Sequence, residues 1–237
     1  MHEQIARALY YCGVHLLYAS LVGFAALALT FIRGGSATTK YWIWVATSLN
    51  FILPLGAILD RLLASRLSWA APLGVIGDFA NRISRGPAGT VLSVVWLLGA
   101  ASMLTRLGLR IRAERRQVHS AAGPSGQERR PTFRAHGVPV RFAVSGQAPG
   151  VEGILRPHIS LPDGIERLLS EHELDAVLMH EMTHARRRDN LIRLIHEVGL
   201  CGLWFHPLVW IAGSRLALYR ELSCDESVIQ SARGEDL

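Results

Sequence analysis

The chain has 237 residues, half of them hydrophobic, and a mean hydropathy of +0.24. A composition so apolar excludes an ordinary soluble domain of this size and points to a membrane protein. The formal charge of +6 would suit nucleic acid, yet the basic residues crowd beside apolar stretches, as at Arg106, Arg110, Arg112, Arg115 and Arg116. That is the pattern of membrane anchoring, so no direct nucleic-acid binding is expected and the lipid bilayer is the first partner.

Three stretches lack Asp, Glu, Lys and Arg: between Arg7 and Arg33, between Lys40 and Asp60, and between Arg85 and Arg106. Each is long enough for a transmembrane helix, which needs about 20 apolar residues. Ala26-Leu27-Ala28 resembles a signal-peptide cleavage site, but the first run exceeds the 7–15 residues usual for a signal h-region, and a span is the preferred reading. Pro54 in the second stretch is tolerable because neighbouring helices satisfy freed backbone groups. A fourth apolar stretch, Val198 to Ser214, is shorter and holds His206-Pro207; it reads as a buried or interfacial helix.

Residues 1–108 are therefore expected to form a membrane domain with three transmembrane helices, 109–135 a basic juxtamembrane linker, and 136–237 a smaller, more polar domain. The linker signal is the Gly, Pro, Ser and Arg richness of Gln117 to Arg134. In the last part, Val138, Val140, Phe142 and Val144 alternate as in a half-buried strand. Val151 to Leu161, bounded by Ala148-Pro149-Gly150 and Pro162-Asp163-Gly164, reads as a second strand, and Pro157 inside it predicts an edge strand. The fold class is thus mainly α, a helical membrane anchor followed by a small α+β domain.

A helix is predicted to start at Ser170, where Glu173 completes a capping box, and to carry the apolar stripe Leu174, Val177, Leu178 and Met182. The same helix holds His180-Glu181-Met182-Thr183-His184. Two histidines one turn apart project from one helix face and can share a zinc ion, and Glu181 beside them is placed to take a proton from the attacking water. A second helix, about Leu208 to Gln230, offers Glu221 as third ligand, with Asp225 four residues on and on the same face. Two histidines plus a glutamate form a standard catalytic zinc set.

Asp189 either orients a ligand histidine or pairs with Arg186 to Arg188 at a helix end, and Asp225 has the same two roles open, its place beside Glu221 favouring the first. His2, His15, His119, His136, His158, His172, His196 and His206 lack ligand spacing, although His196 and His206 fall between the two ligand helices. Cys12, Cys201 and Cys224 have neither disulfide nor metal-site spacing and read as small buried residues.

These residues resemble the BlaR/MecR-type integral-membrane metalloproteases, signal transducers of bacterial β-lactam resistance. The likeness covers nearly the whole chain and rests on Gly153-Ile154-Leu155-Arg156-Pro157-His158-Ile159-Ser160-Leu161-Pro162, on the HExxH helix with Arg188-Asp189, on Trp204-Phe205-His206-Pro207-Leu208 and on Glu221-Leu222-Ser223-Cys224-Asp225. The resemblance implies a zinc endopeptidase of the gluzincin type, with His180, His184 and Glu221 on the zinc and Glu181 catalytic. It also implies a multi-pass protein of the bacterial cytoplasmic membrane, its protease domain on the cytoplasmic side, cleaving itself or a helix-turn-helix transcriptional repressor.

The positive-inside rule agrees only in part. Arg33 to Lys40 and Arg106 to Arg116 fall on one side of three spans, but Arg61, Arg66, Arg82 and Arg85 lie on the other. The chain ends at Leu237, soon after Glu221, whereas the best-known members continue into more protease domain and an extracellular antibiotic-binding domain. That departure leaves a β-lactam signal without support and implies a shortened protease domain. It also keeps a rival open, a non-catalytic membrane signalling or scaffold protein with a structural zinc site.

Overall fold

A computed structural model describes residues 2–32, 34–53, 77–83, 86–120, 133–135, 137–143 and 148–234. The principal helices are α1 (His2–Phe31), α2 (Ala37–Ile52), α3 (Pro87–Ser120), α4 (Glu171–Arg187), α5 (Asp189–Gly202) and α6 (Pro207–Ala232). Between α3 and α4 lie β1 (Phe133–Ala135), β2 (Val138–Ala143), β3 (Gly150–Glu152) and β4 (His158–Pro162), then a 3-10 turn at Ile165–Arg167. Two compact units interleave along the chain: one takes Met1–Gly34, Ile43–Thr105 and Val198–Ser214, the other Gly35–Trp42, Arg106–Glu197 and Arg215–Leu237.

Among the described residues two helical segments, Leu9–Phe31 and Pro87–Glu114 (which runs on past Thr105 of the first unit), are long and apolar enough to cross a membrane. Of the second predicted span, the helix α2 ends at Ile52 and the remainder from Pro54 lies outside the described residues, as do Val144, His136 and residues 121–132 of the predicted linker, whose residues 109–120 instead continue α3 as helix. The stretch from Val198 to Ser214 is not one helix, as the sequence reading had it, but the end of α5 and the start of α6. The break falls before Pro207 because proline disfavours helical geometry in the residue preceding it and is itself well suited to a first helical position.

Indole N–H groups satisfy carbonyls around that break. Trp96 donates to the Gly202 carbonyl (2.8 Å), Trp204 to that of Trp96 (3.3 Å) and Trp210 to that of Trp204 (2.8 Å). Gly99 is what lets Trp204 approach: a Cβ there would lie 2.1 Å from the indole Cε2. Ala19, Phe51, Leu208 and Val209 form the buried core of this unit.

In the second unit the four strands run in the order β1-β2-β4-β3, with β2 and β4 parallel and the outer pairs antiparallel. The expected single strand over Val151 to Leu161 is instead a hairpin, turned at Gly153, whose φ of +88° and close carbonyl of Arg156 leave no room for a side chain. Pro157 precedes β4 rather than interrupting it, so β4 is an interior strand and β3 is the edge. This corrects the edge-strand assignment: an interior strand tolerates a proline just outside its ladder.

Val140, Ile159, Leu161, Ile165 and Met182 make the core, and Leu174, Val177 and Leu178 of α4 pack on it. The capping box is present: Ser170 Oγ accepts from the Glu173 backbone N–H, and the Glu173 carboxylate accepts from the Ser170 N–H at 2.8 Å. Such a cap contributes about 0.5–2 kcal/mol. On the far side of the unit, Arg110 reaches Glu197 (2.7 Å) and Arg193 reaches Glu114 (2.9 Å), joining α3 to α5.

Candidate metal centre

Helical register separates the roles of neighbouring residues on α4. Successive residues turn by about 100°, so Glu181, Met182 and Ala185 face the core and are buried, while His180 and His184 lie along the flank. The helix then stops at Arg188, which adopts left-handed geometry (φ 56°, ψ 46°), a conformation costing a non-glycine residue about 1–2 kcal/mol. That turn starts α5 at Asp189 and swings its carboxylate back toward His184.

Both histidines are oriented by a carboxylate. His184 Nδ1 lies 2.6 Å from Asp189 Oδ2, and His180 Nδ1 lies 3.1 Å from Asp225 Oδ1 on α6. An ionised carboxylate only accepts, so each Nδ1 carries a proton, and in the neutral ring, the form that binds a metal, Nε2 offers its lone pair. The two Nε2 atoms stand 3.2 Å apart, and Glu221 Oε2 is 3.6 Å from each. Three acceptors therefore face one point with no proton among them, which is favourable only around a cation.

The spacing suits zinc, since ligands about 2.0–2.1 Å from a tetrahedral ion stand roughly 3.3–3.4 Å apart. The Glu221 side chain is 48% exposed, so one side of the cluster is open to solvent. Its other oxygen is held by Arg220 at 2.7 and 2.9 Å. Although partial burial opposes it, the hydrogen bond and charge of Arg220 keep the Glu221 carboxyl below its ordinary pKa, hence ionised.

Glu181 is the contrasting carboxylate. Burial pushes its pKa above the ordinary glutamate value. Asp189 is 4% exposed, yet its pKa is lowered: burial raises it, and hydrogen bonds from His184, Tyr41 and Arg187 outweigh that. So the environment separates a carboxyl inclined to take a proton from one that stays charged.

Cys224 is a further donor within reach, because one nitrogen of each histidine and Cys224 Sγ all lie within 4.8 Å of one another. Its ring contact is with His184 Nδ1 at 3.5 Å, the nitrogen that Asp189 already occupies. In the metal-free chain burial pushes the thiol up to about 12, so a metal would have to displace its proton, whereas Glu221 is already ionised. Glu221 is the better third donor on both grounds.

The structure thus brings together every site residue singled out from the sequence: His180, Glu181, His184, Asp189, Glu221 and Asp225. His196 is buried within α5, and His206 contacts Ser20 Oγ at 3.1 Å in the first unit. Tyr41, whose hydroxyl donates to Asp189 at 2.6 Å, had no sequence signal; Arg187, which donates to the same carboxylate at 2.7 Å, was legible only as one of the arginines that could pair with Asp189, and Cys224 only as a small buried residue. Arg220 could have been noticed as a cation adjoining Glu221.

A histidine pair with convergent carboxylates, in a chain with helices apolar enough to cross a bilayer, has the makings of a membrane metallopeptidase. Residues 14–235 match the BlaR1 peptidase M56 family, and the chain belongs to it, a family of signalling membrane metallopeptidases. It is 26% identical to regulatory protein BlaR1 of Bacillus licheniformis over 255 aligned positions, covering 97% of this chain and 39% of that protein. It is 21% identical over 98 positions to the methicillin resistance mecR1 protein of Staphylococcus aureus, covering 41% of this chain and 17% of that relative. The chain therefore spans about two fifths or less of the length of these relatives.

Proposed function

We propose that this chain is a membrane-embedded zinc endopeptidase of the HExxH, gluzincin type that cleaves itself or a cytoplasmic repressor of the helix-turn-helix class. The observation that carries this reading is the triangle of His180 Nε2, His184 Nε2 and Glu221 Oε2, with Glu181 buried beside it. His180, His184 and Glu221 would hold the ion. A bound zinc supplies Lewis-acid polarisation of the scissile carbonyl and makes water more acidic.

The rest is done by the chain. Glu181 accepts the proton of the attacking water, a task its raised pKa favours, and returns it to the leaving amine. Asp189 and Asp225 hold the two imidazoles with their Nε2 lone pairs turned inward. The open side at Glu221 admits substrate, as a catalytic rather than a closed structural site requires. The resemblance to regulatory protein BlaR1 supports the signalling role and the apolar helical segments support a membrane setting; a multi-pass chain with a cytoplasmic protease domain is part of the same proposal.

The rival, a membrane scaffold with a structural zinc site, draws on the buried Cys224 beside the histidines. The chain purified in detergent and co-expressed with a neighbouring repressor separates the two readings. One zinc per chain is expected, with cleavage that Glu181→Gln abolishes while zinc remains bound. Undiminished cleavage in that variant would remove Glu181 from the mechanism, and zinc retention without any cleavage by the parent chain would favour the scaffold.

A further inference from the structure

The carboxylate that orients His184 is itself held by two residues with no part in the reaction scheme above. Asp189 Oδ1 accepts from the Tyr41 hydroxyl at 2.6 Å, and Asp189 Oδ2 accepts from Arg187 Nη2 at 2.7 Å as well as from His184 Nδ1 at 2.6 Å. The three donors hold both oxygens of a carboxylate that is nearly removed from solvent. It can neither rotate nor be turned by water. Arg187 also lies over the Tyr41 ring, its guanidinium carbon 4.3 Å from the centroid, so each of these two residues fixes the other.

The same guanidinium reaches α6. Nη2 donates to the Arg220 carbonyl (3.3 Å) and contacts Cys224 Sγ (3.0 Å), while Nη1 donates to Ser223 Oγ. These three residues bracket Glu221 on its helix. A planar fork with several donors at fixed angles can serve α4, Asp189 and α6 at once, which a lysine ammonium cannot.

Resting on the metal-centre reading above, we propose that Tyr41 and Arg187 are positioning residues of that centre. Together they lock Asp189 as the acceptor that keeps His184 Nε2 turned inward, and Arg187 in addition sets the register of α6 that delivers Glu221. The metal affinity of a helix-borne histidine pair is thereby made to depend on a residue of α2, far from it in sequence.

The test uses the full chain in detergent, stripped with a chelator and titrated with cobalt(II) ions alone, with affinity and the visible cobalt spectrum as readouts. Loss of an outer hydrogen-bond partner commonly weakens metal binding about 10–100-fold. Tyr41→Phe, which removes one oxygen and keeps the ring, is expected to weaken cobalt binding about tenfold and to alter the ligand-field bands. Arg187→Lys is expected to weaken it at least as much, without rescue by the retained charge.

Parental affinity and spectrum in Tyr41→Phe would overturn the proposal, even if its melting temperature fell, because a merely structural role moves stability and not the cobalt spectrum. Should Arg187→Lys fail to fold, Tyr41→Phe decides alone. His184→Ala separates this proposal from the reading beneath it: if that variant binds cobalt like the parent, the metal centre itself is wrong, whereas loss of binding there with unchanged Tyr41→Phe removes only the positioning role.

Discussion

The carboxylate of Asp189 meets His184 Nδ1 at 2.6 Å, five residues away in sequence and across a break between two helices. A left-handed Arg188 makes that meeting possible, so the local strain serves the geometry of the site. An uninterrupted helix would carry residue 189 about 140° around the axis from residue 184, away from the ring it now orients.

Removing that contact should cost metal affinity. Asp189→Asn keeps the shape but loses the charge that fixes the imidazole tautomer, and zinc affinity measured by competition with a chromophoric chelator is expected to fall about 10–100-fold. An unchanged dissociation constant would mean that His184 is oriented by something else.

Glu181 sets a pH dependence whose sign follows from burial. The base must be ionised to accept a proton, and its pKa is raised by burial above the ordinary value of about 4.3 for glutamate. Activity is therefore full well above the raised value and lost as pH falls through it, so the acid limb of kcat/KM for a cleavable substrate lies above that ordinary value. An acid limb at or below it would show that burial does not govern this carboxyl in the working enzyme.

Cys224 provides a check on the third ligand. With its thiol pushed up to about 12, the folded, metal-free chain should react with iodoacetamide at pH 8 more than a hundredfold slower at this residue than the unfolded chain does, as read by peptide mass mapping. In the cobalt form a Glu221-ligated site has no sulfur-to-metal charge-transfer band in the near ultraviolet. Appearance of that band would assign the ligand to Cys224.

Gly99 should be intolerant of a side chain. A Cβ there falls 2.1 Å from the Trp204 indole, so Gly99→Val forces the indole out of its hydrogen bond to the Trp96 carbonyl. Overpacking of this kind costs about 1–3 kcal/mol, and the melting temperature in detergent should drop accordingly. Trp204→Ala in the same background should restore part of the loss, whereas Gly99→Val alone melting like the parent would contradict the close approach.

What could be read along the chain is what short-range periodicity encodes. The capping box at Ser170 and Glu173, the apolar stripe from Leu174 to Met182, and the i, i+4 histidines of one helix face are local patterns, and the helix forms from them directly. The pairing of Glu221 with Asp225 on one face of a later helix is local as well, and so was legible before any fold was known.

Tertiary structure decided the rest, because proximity between distant segments leaves no periodic trace. Pro157 was read as a sign of an edge strand, but only the hairpin turned at Gly153 shows that β4 lies inside the sheet and β3 at its edge. Val198 to Ser214 was read as one helix from its apolarity, whereas Pro207 breaks it and the carbonyls freed there accept from the indole N–H groups of Trp96 and Trp210. Asp189 stood between two readings in sequence and fills both in the fold, accepting from Arg187 and from His184 together. By itself the sequence determined which residues could bind and move a proton; the packing of α2, α4, α5 and α6 determined which carboxylate faces which nitrogen, since a side chain's pKa and tautomer are properties of its neighbours in space.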